Sequence, residues 1–228
     1  MAKTLRVMLE MGPKGKKVVA VAPDWPGLAR GAASEEAAIE RLLAYAPRYA
    51  PVAALAGLAG AFPKKPAAEV VERYPGTPST DFWAISFAFA RLDQPPAPGK
   101  NLERELTLLQ ACWAFFDEVR GRVSAELRPG PRGGGRDRDK IGRHLFANEQ
   151  QWATGIGVLT PDEALLSEAG LKAHRAAYCQ AIREFQAQGK PAGKRAPWPL
   201  RYLIRHTAFH TLDHAWEMED RDLTPKPA

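Results

Sequence analysis

The chain has 228 residues, 45% of them hydrophobic and 25% charged, ordinary globular usage that excludes a wholly disordered protein. Its net charge of +6 and pI near 9.4 would favour phosphates or acidic partners, but a solvated surface accounts for that charge without nucleic acid. No stretch approaches the roughly 18 apolar residues of a membrane span, and the opening MAKTLRVMLEMGPKGKK lacks the unbroken apolar run of a signal peptide.

Residues 4 to 11, TLRVMLEM, alternate with the period of a half-buried strand, and KKVVAVA repeats the signal after the turn-prone GPKG. The run APDWPGLARGAAS, with two prolines and two glycines, is expected to break structure before Ser34 caps a helix over EEAAIERLLAYA. Pro47 and Pro51 are expected to interrupt that helix, and AEVVERY offers a further strand. Residues 1–75 therefore read as a small β-β-α-β domain. Residues 76–100, rich in proline around DFWAISFAFA, read as a linker that packs on the C-terminal helices.

From Asn101 the pattern turns helical, and residues 101–228 read as a four-helix bundle. The first helix carries Leu102, Leu106, Leu109, Trp113, Phe116, Val123 and Leu127 and ends at RPGPRGGGR. The second runs from Asp137 to Thr154. Thr160, Pro161 and Glu163 predict a capping box for the third, which extends to about Gln188. After the break GKPAGKRAPWP the last helix extends from Leu200 to Arg221. The fold class expected is α+β. Cys112 and Cys179 lack C-x-x-C spacing and read as core residues, so a cytoplasmic, reducing location is expected.

His206, His210 and His214 lie four apart on the last helix, a spacing that stacks imidazoles on one face. Asp213 and Glu217 project to nearly the same side. A solvated outer face would also explain such a stripe, but His144, on another helix of the expected bundle, supplies an imidazole from a second wall. Bundle cores build metal sites from facing helices in this way. Three neutral imidazoles suit zinc, nickel, iron or manganese and leave an open position where a bound water can be acidified. His174 has no partner at metal spacing and reads as a surface or hydrogen-bonded residue. The basic cluster Arg132, Arg136, Arg138, Lys140 and Arg143 is either an anion site near the metal helix or a solvated loop diluted by Asp137 and Asp139.

Two segments, PRGGGRDRDKIGRHLFANEQ and HTLDHAWEMEDR, resemble the DinB/YfiT-like family of metal-binding four-helix bundles. The resemblance implies that His144, His210 and His214 are the ligands, that His206 is an extra histidine one turn away, and that the metal is zinc or nickel. Some relatives activate a low-molecular-weight thiol for transfer or isomerisation, which implies a metal-dependent transferase or hydrolase with a small thiol substrate. Asp213 or Glu217 would orient a ligand imidazole, and Glu217 could alternatively accept a proton. The front of the chain, a hairpin followed by APDWPGLARGAASEEAAIERL, resembles HicB-like antitoxin domains. That implies a second function class, a binding or regulatory protein with a protein or nucleic-acid partner, while a simple docking or homodimerisation role fits the same residues.

Overall fold

Alternation at Thr4–Val7 opens the first strand, β1, at Thr4–Met11, and the computed structural model pairs it antiparallel with β2 at Val18–Val21. The structure describes residues 4–97, 99–130, 135–189 and 198–225. Pro98, Arg132 and most of GKPAGKRAPWP lie outside them. The chain is α+β, with a four-stranded sheet of order β3-β2-β1-β4 and six α-helices among the described residues.

Strand β3, Ala29–Ala32, is a correction to the sequence reading, which placed a structureless break there. A tight loop, with Ala22 N–H donating to Leu28 O at 2.9 Å, folds the chain back so that Val18–Val21 pairs antiparallel with Ala29–Ala32. Four small or basic residues carry no alternation long enough to read, and the strand is specified by its neighbour rather than by its own pattern. The strand β4, Ala67–Pro75, then returns beside β1 in parallel.

Helix α1, Glu35–Leu55, begins as expected, with the Ser34 hydroxyl accepting from Ala37 N–H. It runs unbroken through Pro47 and Pro51, against expectation. Each interior proline costs about 3 kcal/mol. Burial of Tyr49 between them, and of Val52 and Ala53 just after Pro51, offsets this, at about 1.5–3 kcal/mol for a large apolar side chain. The Tyr49 hydroxyl donates to Pro26 O at 2.7 Å, and its ring packs with Trp25 and Phe62.

By contact the chain divides into two compact units, residues 1–115 with 199–209, and residues 116–198 with 210–228. In the first, the 76–97 region packs on the sheet. Ile85, Ala88 and Leu92 lie against a core of Met8, Val19, Val21, Ala29, Tyr74, Ala90 and Phe209. This region holds a short helix α2, Pro78–Trp83, and is tied down by Glu10, which is fully buried on β1. Glu10 accepts from the hydroxyls of Thr80 at 2.5 Å, Ser86 at 2.6 Å and Tyr74 at 3.1 Å, and from the N–H groups of Phe87 and Ala88. Arg205 donates to both Asp93 oxygens and to Ser86 Oγ, so a second buried charge is also paired.

The helices α3, Gly99–Arg122, and α6, Leu200–Arg221, each contribute to both units. The second unit takes the end of α3, all of α4, Arg138–Thr154, and of α5, Glu168–Gln188, and α6 from His210 onward. Leu127, expected inside the first long helix, instead bridges Asp222 after the helix has ended at Arg122. Arg175 of α5 joins Asp117 of α3 at 2.7 Å and the fully buried Glu149 of α4 at 3.2 Å. The Thr160 capping box does not form as a helix start. A 3-10 turn occupies Asp162–Leu166, and Ser167 caps α5 by accepting from Gly170 N–H. The Thr160 hydroxyl is engaged elsewhere, 2.8 Å from His174 Nδ1.

Candidate metal centre

Helix α4 starts on Asp137, whose side chain accepts from Lys140 N–H at 2.7 Å, and it presents His144 two turns in. Helix α6 carries His210 and His214 on successive turns of one face. The apolar face of α6 fixes this orientation, because Leu212, Ala215 and Trp216 are fully or almost fully buried. The structure brings the three imidazoles together: His210 Nε2 lies 3.2 Å from both His144 Nε2 and His214 Nε2. Their ligand atoms all fall within 4.8 Å of one another, and each residue is half-buried. The Trp152 ring meets His210 edge-on at 5.2 Å and forms an apolar wall.

The donor set fits a divalent ion. His214 Nδ1 lies 2.8 Å from Glu217 Oε2; the carboxylate accepts, so Nδ1 carries a proton, and in the neutral ring the Nε2 lone pair faces His210. One proton on His210 Nε2 can serve only one of the two 3.2 Å contacts well. A cation serves all three nitrogens. Two imidazoles bound to one tetrahedral zinc-like ion at about 2.0–2.1 Å stand roughly 3.3 Å apart, close to the separations found.

Burial, then the neighbouring His214 and Arg136 charges, pull His144 down to about 4, with Glu217 opposing. Burial raises the Glu217 carboxyl, but hydrogen bonds from His214 and Arg221 outweigh it and hold it below its ordinary value. Glu217 thus presents an anionic carboxylate to His214 Nδ1.

The other sequence candidates are placed differently. His206 belongs to the first unit, 5% exposed, stacked on Tyr202 at 5.2 Å and packed near Phe87; burial lowers it to about 3. Asp213 is half-buried and is not among the three residues gathered at ligand distance. Of the basic candidates, Arg138 pairs with Asp139 and Lys140 with Asp137. Arg143 and Arg136 are exposed, and Arg136 is the one whose charge bears on His144. His174 is 2% exposed, bonded to Thr160, and lowered to about 4 by burial. Cys112 and Cys179 are buried free thiols.

Sequence reasoning missed Asn148 and Arg221. The Asn148 amide lies 3.3 Å from His144 Nδ1, one helical turn on. Arg221 donates to Glu217 Oε1 at 2.5 Å; it stands seven residues after His214, on the same helical face, a signal that was present in the spacing.

Comparison with protein-family models, with curated proteins and with solved structures gave no match. Fold and site alone thus define the class, an α+β chain with a three-imidazole cluster. Among the described residues no helix is long and apolar enough to cross a membrane.

Proposed function

We propose that this chain is a divalent-metal protein whose second unit is a four-helix bundle of the DinB/YfiT-like kind, with His144, His210 and His214 holding zinc or nickel. The carrying observation is the convergence of three Nε2 atoms, with the His214 proton committed to Glu217 on the far side of its ring. A divalent ion held there supplies Lewis acidity, lowering the pKa of a thiol or water at its open position. The chain supplies the rest. Glu217 orients His214, Trp152 limits water on one side, and Arg136 offers positive charge to an anionic substrate group. A metal-dependent transferase or hydrolase acting on a small thiol, in a reducing cytoplasm, is the reading that unites these features.

Tag-free protein purified without chelator is expected to carry close to one equivalent of zinc or nickel by elemental analysis. Less than about a tenth of an equivalent, with no uptake of zinc, nickel or manganese, would refute the reading.

A second reading has one observation behind it. Phe82 and Trp83 stand 65% and 54% exposed on the first unit, the one that carries the HicB-like resemblance, and exposed aromatics favour partner binding. There the metal would only staple the second unit, and His144→Ala would lose metal while keeping whatever activity the chain has.

A further inference from the structure

Glu217 is one-third exposed, and a carboxylate in that position has several rotamers open to water. It nevertheless stands with Oε2 on His214 Nδ1 and Oε1 on Arg221 Nη1. Arg221 itself is 8% exposed, and each of its guanidinium nitrogens has an acceptor. Nε donates to Arg128 O at 2.7 Å, Nη2 to Arg136 O at 2.9 Å, and Nη1 to Glu217. Its own carbonyl accepts from Arg128 N–H at 2.8 Å. The guanidinium is thus locked between two stretches of main chain, and its remaining arm fixes the carboxylate that fixes His214.

Gly135 makes room for this lock. It sits at φ +137°, and a Cβ there would lie 2.6 Å from Arg221 Nη2 and 2.8 Å from its Cζ. Any side chain at 135 would be strained and would push against a guanidinium each of whose three nitrogens already has an acceptor.

We propose that Arg221 is the positioning residue of the histidine centre. Held by the carbonyls of Arg128 and Arg136 and admitted by Gly135, it holds Glu217 so that His214 keeps its proton on Nδ1 and its Nε2 free for an ion. This rests on the metal reading of the three histidines and extends it to residues remote from them in sequence. The physical cause is tautomeric. Without a fixed acceptor at Nδ1 the imidazole proton can move to Nε2, which blocks the ligand atom. An arginine at a helix C-terminus also has a purely structural use, neutralising the helix end and bracing a loop, so stability alone does not separate the two roles.

The test uses the metal-free, 15N-labelled full chain and Co(II) as probe. In wild type the His214 ring is expected in the Nδ1–H form by long-range proton–nitrogen NMR, and Co(II) binds with a defined visible spectrum. Arg221→Met is expected to mix the His214 tautomers, weaken Co(II) binding by about 10–100-fold and change the Co(II) bands. Gly135→Ala is expected to act in the same direction, and Arg221→Lys to restore little, because a single ammonium cannot span three acceptors. Arg122→Met, which breaks the ion pair with Glu219, should leave the tautomer and the spectrum unchanged. His214 shifts, Co(II) affinity and bands in Arg221→Met all matching wild type would overturn the proposal while the metal reading stands. If Arg221→Met does not fold, the same measurements on Gly135→Ala and Arg221→Lys decide. Should wild type take up no Co(II), the metal reading fails; an unchanged His214 tautomer in the variants then overturns the relay as well, and a changed one supports it.

Discussion

Two polar clusters in this protein are satisfied in different ways. Around Glu10 and Arg205, every acceptor meets a donor: hydroxyls and N–H groups surround the carboxylate, and Asp93 takes the guanidinium. Around His210, ring nitrogens of one kind face one another at 3.2 Å. The first cluster is complete as it stands and specifies how the 76–97 region lies on the sheet. The second gathers three imidazoles that could hold a cation. Convergence of like groups, rather than burial of polar ones, is what marks a candidate ligand site here.

The first cluster is most sensitive at Arg205. Arg205→Ala strands a buried Asp93, which is 3% exposed, and should cost about 3–5 kcal/mol in urea unfolding whether or not metal is present. A loss below about 1 kcal/mol would show that the network is not tightly held. His210→Ala should behave in the reverse manner. The metal-free variant should unfold within about 0.5 kcal/mol of wild type. Zinc at a hundredfold excess over its dissociation constant should stabilise wild type by about 2.7 kcal/mol and leave the variant unmoved.

Acid sharpens the contrast among the histidines themselves. His174 and His206 are buried and neutral, with pKa values lowered to about 4 and about 3, whereas an unfolded histidine titrates near about 6.5. The unfolded chain therefore binds protons first as pH falls. Stability from these two side chains is full above that point and drains away toward pH 4. Between pH 7 and pH 5 the loss should be about 1–2 kcal/mol per histidine, read from denaturation midpoints of metal-free protein. His174→Leu should flatten the slope. The smallest effect expected is that of Asp213→Asn, which should change zinc affinity little, because Asp213 is outside the gathered trio; a tenfold loss would place it in the centre after all.

The legible parts of this fold were those in which a residue's role is set by its near neighbours. The alternation of Thr4–Met11, the Ser34 cap and the uninterrupted Leu200–Arg221 helix are of this kind. Strand β3 was hidden because Ala29–Ala32 is held by pairing with β2, not by its own pattern. Pro47 and Pro51 misled because tertiary burial of Tyr49, Val52 and Ala53 together offsets local helix breaking. Thr160 misled because its hydroxyl serves His174 rather than a helix end. At the site, His210, His214 and Glu217 come from helical spacing. The pairing with His144 spans 66 residues; the expected bundle suggested it, and choosing His144 over His206 as third ligand rested on the resemblance. Glu10 was beyond reach in the same way. It reads as an ordinary outward residue of an alternating strand, while its partners lie 64 to 78 positions away.

Calorimetric titration of zinc into metal-stripped, tag-free full chain tests whether three imidazoles hold one ion. Wild type is expected to bind a single equivalent, and His144→Ala none, although that residue lies on a different helix from the other two. Zinc binding that survives in His144→Ala unchanged, or that is absent from wild type, would contradict a three-imidazole site.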